Sequence, residues 1–333
     1  MRSVLKTMAS LKLTCAGIVW LIANAIAISQ RPEYAIPWVV LPLSLLALNL
    51  LAAIITNRAF RLQSALLVFH VGLLGVLALV AAGVLVRLDA QLELVEGERF
   101  DASAVTIKGQ GWLHPDRLPH LNFTQGPVEV RYLSGLRRDT THSSVTVMHS
   151  NGVDAVVNIG DRQGFSSHGY RLMTTFNKGF AVLLLWQDAN GEESLGAINF
   201  PSYPEFEWQQ RNSWETPTGE QLMLELKLGE RVPESGPWTL VSRNHDYEIL
   251  VKGAGGETIA LAAGDSLDVH GGKITVADLR LWMGYRLDFS PFLSWLLAAA
   301  FLTLSALAVH VQQKYASAGV AVRKSPAGRR LPA

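Results

Sequence analysis

The sequence predicts an integral membrane protein with four α-helical spans and a large extracytoplasmic domain of mainly antiparallel β structure, a sandwich or an open barrel. Three observations predict it. Four uncharged apolar runs are long enough to cross a bilayer. Acidic residues are confined to the middle of the chain. That same middle stretch is punctuated by short hairpin signals.

The composition already departs from that of a soluble protein. Of the 333 residues, 49% are hydrophobic and 17% are charged, against about 25% charged in soluble domains. Only Glu33 among the 28 acids precedes Arg87, and none follows Asp288. The stretch between holds 27 acids and 17 bases, a formal charge of −10, while the flanks hold 12 bases and one acid. Charge is costly in hydrocarbon, and basic residues are retained on the cytoplasmic side of membrane proteins.

A span needs about 20 apolar residues. Residues 13–30 are uncharged for 18 positions, 34–57 for 24, 62–86 for 25 and 289–313 for 25. The first run has the basic start and small residues (Ala23, Ala25, Ala27) of a signal peptide. The two further spans that follow at once favour a retained anchor. Arg2, Lys6 and Lys12 precede the first span, Arg58 and Arg61 separate the second and third, and Lys314, Arg323, Lys324, Arg329 and Arg330 follow the fourth. All three groups share one face if both termini are cytoplasmic, which puts the acidic domain outside. The organisation is then three spans in 1–87, an extracytoplasmic domain in 88–288, a fourth span in 289–313 and a basic cytoplasmic tail in 314–333. That tail reads as disordered chain near anionic lipid headgroups.

Within 88–288, apolar runs flank turn signals. Residues 144–148 and 155–159 surround Ser150-Asn151-Gly152, and 180–186 and 195–200 surround Asp188-Ala189-Asn190-Gly191. Residues 247–251 and 258–261 surround Gly253–Gly256, and 266–269 and 274–276 surround His270-Gly271-Gly272. Asn-Gly and Gly-Gly between β-branched runs are strong hairpin signals. The aromatic segment 201–217 reads as a loop or a surface helix. Cys15 is the only cysteine, so no disulfide and no cysteine-based zinc site forms within one chain, and the domain rests on its own core.

The chemistry-bearing motifs are few. There is no P-loop, GxGxxG, GxSxG or HExxH pattern, and no histidine–carboxylate cluster at metal-site spacing. The acidic domain lacks the basic stripe of a nucleic-acid binder. One residue stands apart. His70 lies inside the third apolar run, in Leu66-Leu-Val-Phe69-His70-Val-Gly72-Leu-Leu-Gly75, roughly 13 Å along the helix from Arg61 at 1.5 Å per residue. An ionisable group at that depth is a functional-site hypothesis by default. The other reading is a histidine hydrogen-bonded across the bundle to Asn49, Ser44 or Thr56, or to a backbone carbonyl. The remaining histidines (His114, His120, His142, His149, His168, His245, His270) read as surface or hydrogen-bonding residues, and His310 as interfacial.

This layout resembles the ResB family of System II c-type cytochrome biogenesis proteins. Ser10-Leu11-Lys12-Leu13 resembles the family's opening of span one, Leu48-Asn49-Leu50 its second-span signature, and Phe69-His70 with Gly72 its third-span histidine element. In the domain, Val130-Arg131-Tyr132, Ser143-Ser144-Val145, Val157-Asn158-Ile159 and Gly169-Tyr170-Arg171-Leu172 follow the family's order, and Asp288-Phe289-Ser290-Pro291 resembles its turn before the last span. The chain departs at Asn158-Ile159-Gly160-Asp161, where the family has Asn-x-Pro-Leu, and is shorter than most members. The resemblance implies a non-enzymatic subunit that works with a multi-span, Trp-rich, ResC-like membrane protein to move haem b and present it to apocytochrome c. It implies that His70 is an axial haem ligand, holding the cofactor transiently. Two other classes stand beside it: a structural, partner-binding membrane subunit in which His70 only packs, and a membrane-anchored sensor.

Overall fold

The computed structural model describes residues 2–30, 35–148, 154–243, 245–253 and 256–323. The chain divides into two compact units, one formed by Met1–Leu88, Gly109–Pro115 and Phe289–Ala333, the other by Asp89–Lys108 and Asp116–Asp288.

The first unit is helical. Its elements are α1 (Arg2–Met8), α2 (Leu11–Gln30), α3 (Ala35–Thr56), α4 (Arg58–Leu62), α5 (Ser64–Val86) and α6 (Leu293–Arg323). Four of them are long and apolar enough to cross a membrane: α2, α3, α5 and α6. Boundaries differ from the uncharged runs where local backbone chemistry intervenes. The third run starts at 62, yet α5 starts at Ser64, because Gln63 is extended and separates it from the short α4. Asn57 caps α4, its side chain accepting from Ala59 N at 3.0 Å. At the fourth run, strand structure continues through Phe289. Pro291, which has no N–H to donate, precedes the first helical residue, so α6 begins four residues later than the run. It then continues as helix to Arg323, taking in the first ten residues of the expected tail. The rest of the tail and the link at 31–34 lie outside the described residues.

Polar groups in the apolar helices pair with one another or with backbone. Buried Asn49 donates from Nδ2 to Met8 O (2.5 Å) and Ser10 O (3.1 Å) and accepts from Thr14 Oγ1 (2.7 Å). Buried Asn24 donates to Trp38 O at 2.7 Å. These bonds staple α2 and the end of α1 to α3, so that the polar side chains of these apolar helices are satisfied within the protein. α5 and α6 meet at Gly72. A Cβ built there would lie 2.4 Å from Thr303 Oγ1 and 3.4 Å from Thr303 Cα. The hydroxyl is itself held by a bond to Ala299 O at 2.6 Å. Replacing Gly72 with valine therefore forces the helices apart. We expect the thermal unfolding midpoint of the detergent-purified chain to fall, reflecting about 1–3 kcal/mol of overpacking. Thr303→Ala on the Gly72→Val background should recover part of the loss. A midpoint equal to wild type in Gly72→Val would exclude this close helix contact.

The second unit is β. Its strands are β1 (Leu88–Val95), β2 (Thr106–Gln110), β3 (Phe123–Tyr132), β4 (Arg138–Val147), β5 (Ala155–Gly160), β6 (Phe165–Ser167), β7 (Tyr170–Asp188) and β8 (Glu193–Asn199). They are followed by β9 (Arg211–Glu215), β10 (Gln221–Leu228), β11 (Trp238–Leu240), β12 (Tyr247–Lys252), β13 (Thr258–Leu261), β14 (Ser266–Val269) and β15 (Gly272–Phe289). One seven-stranded sheet has the order β2-β1-β15-β7-β6, with β14 on β15 and β8 on β7. Two four-stranded sheets have the orders β13-β12-β10-β9 and β11-β3-β4-β5. None of the three closes into a barrel among the described residues.

All four expected hairpin pairings form and are antiparallel: β4–β5, β7–β8, β12–β13 and β14–β15. At the β7–β8 turn, Asp188 Oδ1 accepts from Asn190 N and Glu192 N, and Gly191 takes a φ of +86° that a side chain would resist. The Ser150-Asn151-Gly152 turn and the centre of the Gly253–Gly256 turn lie outside the described residues. Segment 201–217 is a loop with a single 3₁₀ turn at Glu207–Gln209 and then the strand β9, and contains no α-helix. The buried Gln210 amide holds the loop by donating to Pro201 O and Phe206 O.

The core sits on β7 and β15. Residues 178–184 of β7 and 281–285 of β15 are buried without alternation, so both faces of this part of the sheet are covered. A closed ring of hydrogen bonds crosses between sheets. Tyr285 Oη donates to Gln125 Oε1 (2.6 Å), Gln125 Nε2 donates to Ser143 Oγ (2.8 Å), and the Ser143 hydroxyl donates to Tyr285 Oη (2.5 Å). All three side chains are buried, and each donor and acceptor of the ring is matched, as the interior requires.

Candidate functional site

Helices α4 and α5 build the surroundings of His70. The break at Gln63 folds α4 back so that the Phe60 ring lies 4.1 Å from the His70 ring at 30°, while Phe69 meets it edge-on at 4.9 Å. His70 is half-buried and stands six residues past Ser64, about 9 Å along α5. That is shallower than the roughly 13 Å counted from Arg61, because Gln63 interrupts the helix.

His70 Nδ1 lies 2.7 Å from Leu66 O, one turn back on the same helix. A carbonyl only accepts, so Nδ1 carries the hydrogen in this bond. In the neutral ring Nε2 then bears a lone pair, and it has no hydrogen bond among the described residues. Asn49, Ser44 and Thr56 do not reach it. Asn49 is committed to α1 and α2 as described, and Thr56 Oγ1 donates to Ala52 O at 2.7 Å. Of the partners open to His70 from sequence, the structure selects a backbone carbonyl of its own helix.

His70 also lines a cleft of about 860 Å³ within the helical unit. Apolar walls come from Leu46, Leu50, Leu73 and Leu77. Lys6, Asn57 and Arg58 line it as well, as do Thr14, Asn49 and Phe60. The volume falls within the roughly 300–1,000 Å³ of sites that take a drug-sized ligand. The combination is amphipathic: apolar walls, two cationic side chains, and one imidazole nitrogen free to coordinate. Lys6, Thr14 and Arg58 were legible in sequence only as flanking charge or as a polar residue in an apolar run. What brings them to His70 is the packing of α1, α2 and α4 around α3 and α5.

Four of the other histidines have partners of their own. His114 Nδ1 donates to Val86 O at 2.9 Å, and His245 Nε2 to Val241 O at 2.7 Å. His168, at φ +53°, bonds Ser167 Oγ; its ring lies 5.9 Å from that of His120. His149 lies outside the described residues. Among the described residues no three of His, Cys, Asp and Glu gather in a way that could hold a metal ion. A haem differs from such a site, since the porphyrin supplies four ligands and the protein needs to add only an axial one. The free Nε2 of His70 and the amphipathic cleft meet that requirement. The chain matches no protein-family model, and no curated protein matches it significantly.

Proposed function

We propose that this chain is a ResB-like membrane subunit of a c-type cytochrome assembly complex, which holds haem b transiently through His70 and helps present it to apocytochrome c. The observation that carries the reading is His70 itself: it lines an amphipathic cleft inside the helical unit, and its Nε2 has no hydrogen bond among the described residues. Leu66 O orients the imidazole, as metal-binding histidines are commonly oriented through their second nitrogen. Phe60 stacks on one face of the ring and limits its rotation. Lys6 and Arg58 offer cationic partners for the two haem propionates, and the leucine walls match the porphyrin. His70 would hold the haem from this chain, the haem would supply the iron, and a Trp-rich, ResC-like partner would complete the site. The chain acts within this complex and not as an enzyme alone.

The membrane arrangement belongs to the same reading. α2, α3, α5 and α6 span a bacterial inner membrane with both termini cytoplasmic and residues 88–288 outside. The support is the charge partition: basic residues cluster before and at the start of α2, between α3 and α5, and from the last part of α6 onward. Reporter fusions after Ala59 and Lys314 should read cytoplasmic, and one at Asn190 extracytoplasmic. A cytoplasmic signal at Asn190 would sink the arrangement. The functional proposal is tested by co-purifying the chain with its multi-span partner, where a Soret band is expected. A colourless complex from haem-replete cells counts against it. One contact favours a purely structural subunit: the close Phe60–His70 stacking is also what a packing histidine shows. Substitution of His70 separates the two.

A further inference from the structure

The loop at 111–114 caps the C-terminal end of α5 from outside the helix. Gly111 N donates to Arg87 O at 2.8 Å, Leu113 N to Leu85 O at 2.8 Å, and His114 Nδ1 to Val86 O at 2.9 Å. A Cβ on residue 111 would fall 2.2 Å from Leu85 O, so only glycine brings the loop this close. The final carbonyls of a helix have no partner within it. At a wet surface water hydrates them. Here three successive carbonyls are each given a donor from chain some 25 residues away, which is what a site with little water demands. Between the capping donors project Trp112 and Leu113, 66% and 65% exposed. Two large apolar side chains are thus pinned, exposed, level with the last turn of a 23-residue apolar helix.

The neighbouring helix end repeats the pattern. His114 also meets Phe289 edge-on at 5.0 Å, and Gly72 meets Thr303 farther along. These two contacts make α5 and α6 antiparallel, so α6 starts at the end where α5 stops. There Leu293 is exposed, and Trp295 is 69% exposed. Tryptophan concentrates at the boundary between headgroups and acyl chains, where its apolar body and N–H are both accommodated.

We propose that Trp112 and Leu113 form an interfacial lipid anchor. On this view the tip seats in the headgroup–acyl boundary of the leaflet at the C-terminal end of α5, beside Trp295. The inference rests on the membrane-spanning reading above and adds to it a loop that is neither a span nor part of the β core.

The test uses the full chain, labelled with 5-fluorotryptophan, in nanodiscs of phosphatidylcholine and phosphatidylglycerol. The chain has nine tryptophans, and Trp112→Phe identifies the Trp112 fluorine resonance by its loss. Phosphatidylcholine carrying a nitroxide high on the acyl chain should broaden the Trp112 and Trp295 signals beyond detection. A soluble paramagnetic chelate should leave both sharp while broadening Trp208, which is exposed on the β unit. If Trp112 is broadened by the chelate and untouched by the lipid nitroxide while Trp295 still responds to lipid, the anchor is overturned and the tip is left to a protein partner. If Trp295 and Trp38 also ignore the lipid nitroxide, the membrane-spanning reading falls together with it.

Discussion

Replacing His70 with glutamine is expected to remove the Soret band from the purified complex and to block assembly of c-type cytochromes, with chain abundance and topology unchanged. Glutamine keeps length and hydrogen-bonding capacity, so it can still donate towards Leu66 O. It cannot offer iron an aromatic nitrogen lone pair. The loss should exceed the roughly 10–100-fold that removal of an outer-shell partner typically costs a metal site, because His70 is proposed as the ligand itself. His70→Ala should behave alike. His70→Gly with imidazole in the medium should regain part of the haem, since the cleft has room for the free ligand. The packing alternative reverses every expectation: an amide replaces a hydrogen bond well. Full cytochrome assembly in His70→Gln would end the ligand role and leave His70 as a partner of Phe60.

Residues 88–288, expressed alone, should show a strand-dominated far-UV spectrum and should lose stability steeply above pH 10. Burial raises the phenol of Tyr285 to about 12, against the lowering effect of its bonds to Ser143 and Gln125. Burial raises Tyr203 to about 12, helped by the charges of Glu207 and Glu230. Tyr132 is pushed up further still, again by burial first. In the unfolded chain these phenols ionise near 10. Between about pH 10 and 12 the folded state therefore binds more protons than the unfolded one, and stability falls as pH rises. Each tyrosine contributes about 1.4 kcal/mol per pH unit, so three acting together give roughly 4 kcal/mol per unit in this window.

Lys178 acts in the opposite sense. Its side chain is fully buried, and burial holds its pKa below 10.5 despite the ion pair with Glu205. Stability therefore rises with pH between its folded value and 10.5, and Lys178 contributes no slope above that. Tyrosine ionisation followed by ultraviolet absorbance should consequently appear as a cooperative step coinciding with loss of the β spectrum. A smooth titration centred near 10 in a still-folded domain would contradict the burial of these phenols. Tyr285→Phe should flatten the slope by about one proton's worth. It should also lower stability at neutral pH, because Gln125 and Ser143 lose their partner in the ring.

The legible part of this molecule is the part governed by near neighbours in the chain. An apolar helix announces itself because hydrocarbon tolerates about 20 residues without charge and little else. The four helices long enough to span are accordingly those of the four uncharged runs. The hairpins at 188–191 and 270–272 were legible because a turn is chosen by two or three residues, with Gly191 and Gly271 supplying positive φ. His70 stood out through depth alone.

What the sequence could not determine depends on partners far away along the chain. The partner of His70 is its own helix, a choice made once Asn49 had been taken by Thr14 and the end of α1. The cleft exists because Lys6, Asn49, Arg58 and His70 come from four separate helices. β7 and β15 extend over 19 and 18 residues, well past the hairpin runs that mark them, because burial on both faces replaces alternation with a continuous apolar pattern. The Gln125–Ser143–Tyr285 ring joins residues up to 160 positions apart, and the cap that Gly111–His114 places on α5 is equally non-local. By itself the sequence determined which segments are apolar helices and marked four of the strand pairings, since those depend on local periodicity and turn chemistry. Only the tertiary structure decided which polar groups are satisfied and which nitrogen stays free, because a hydrogen bond is allotted by the competition among all the donors and acceptors that folding brings within reach.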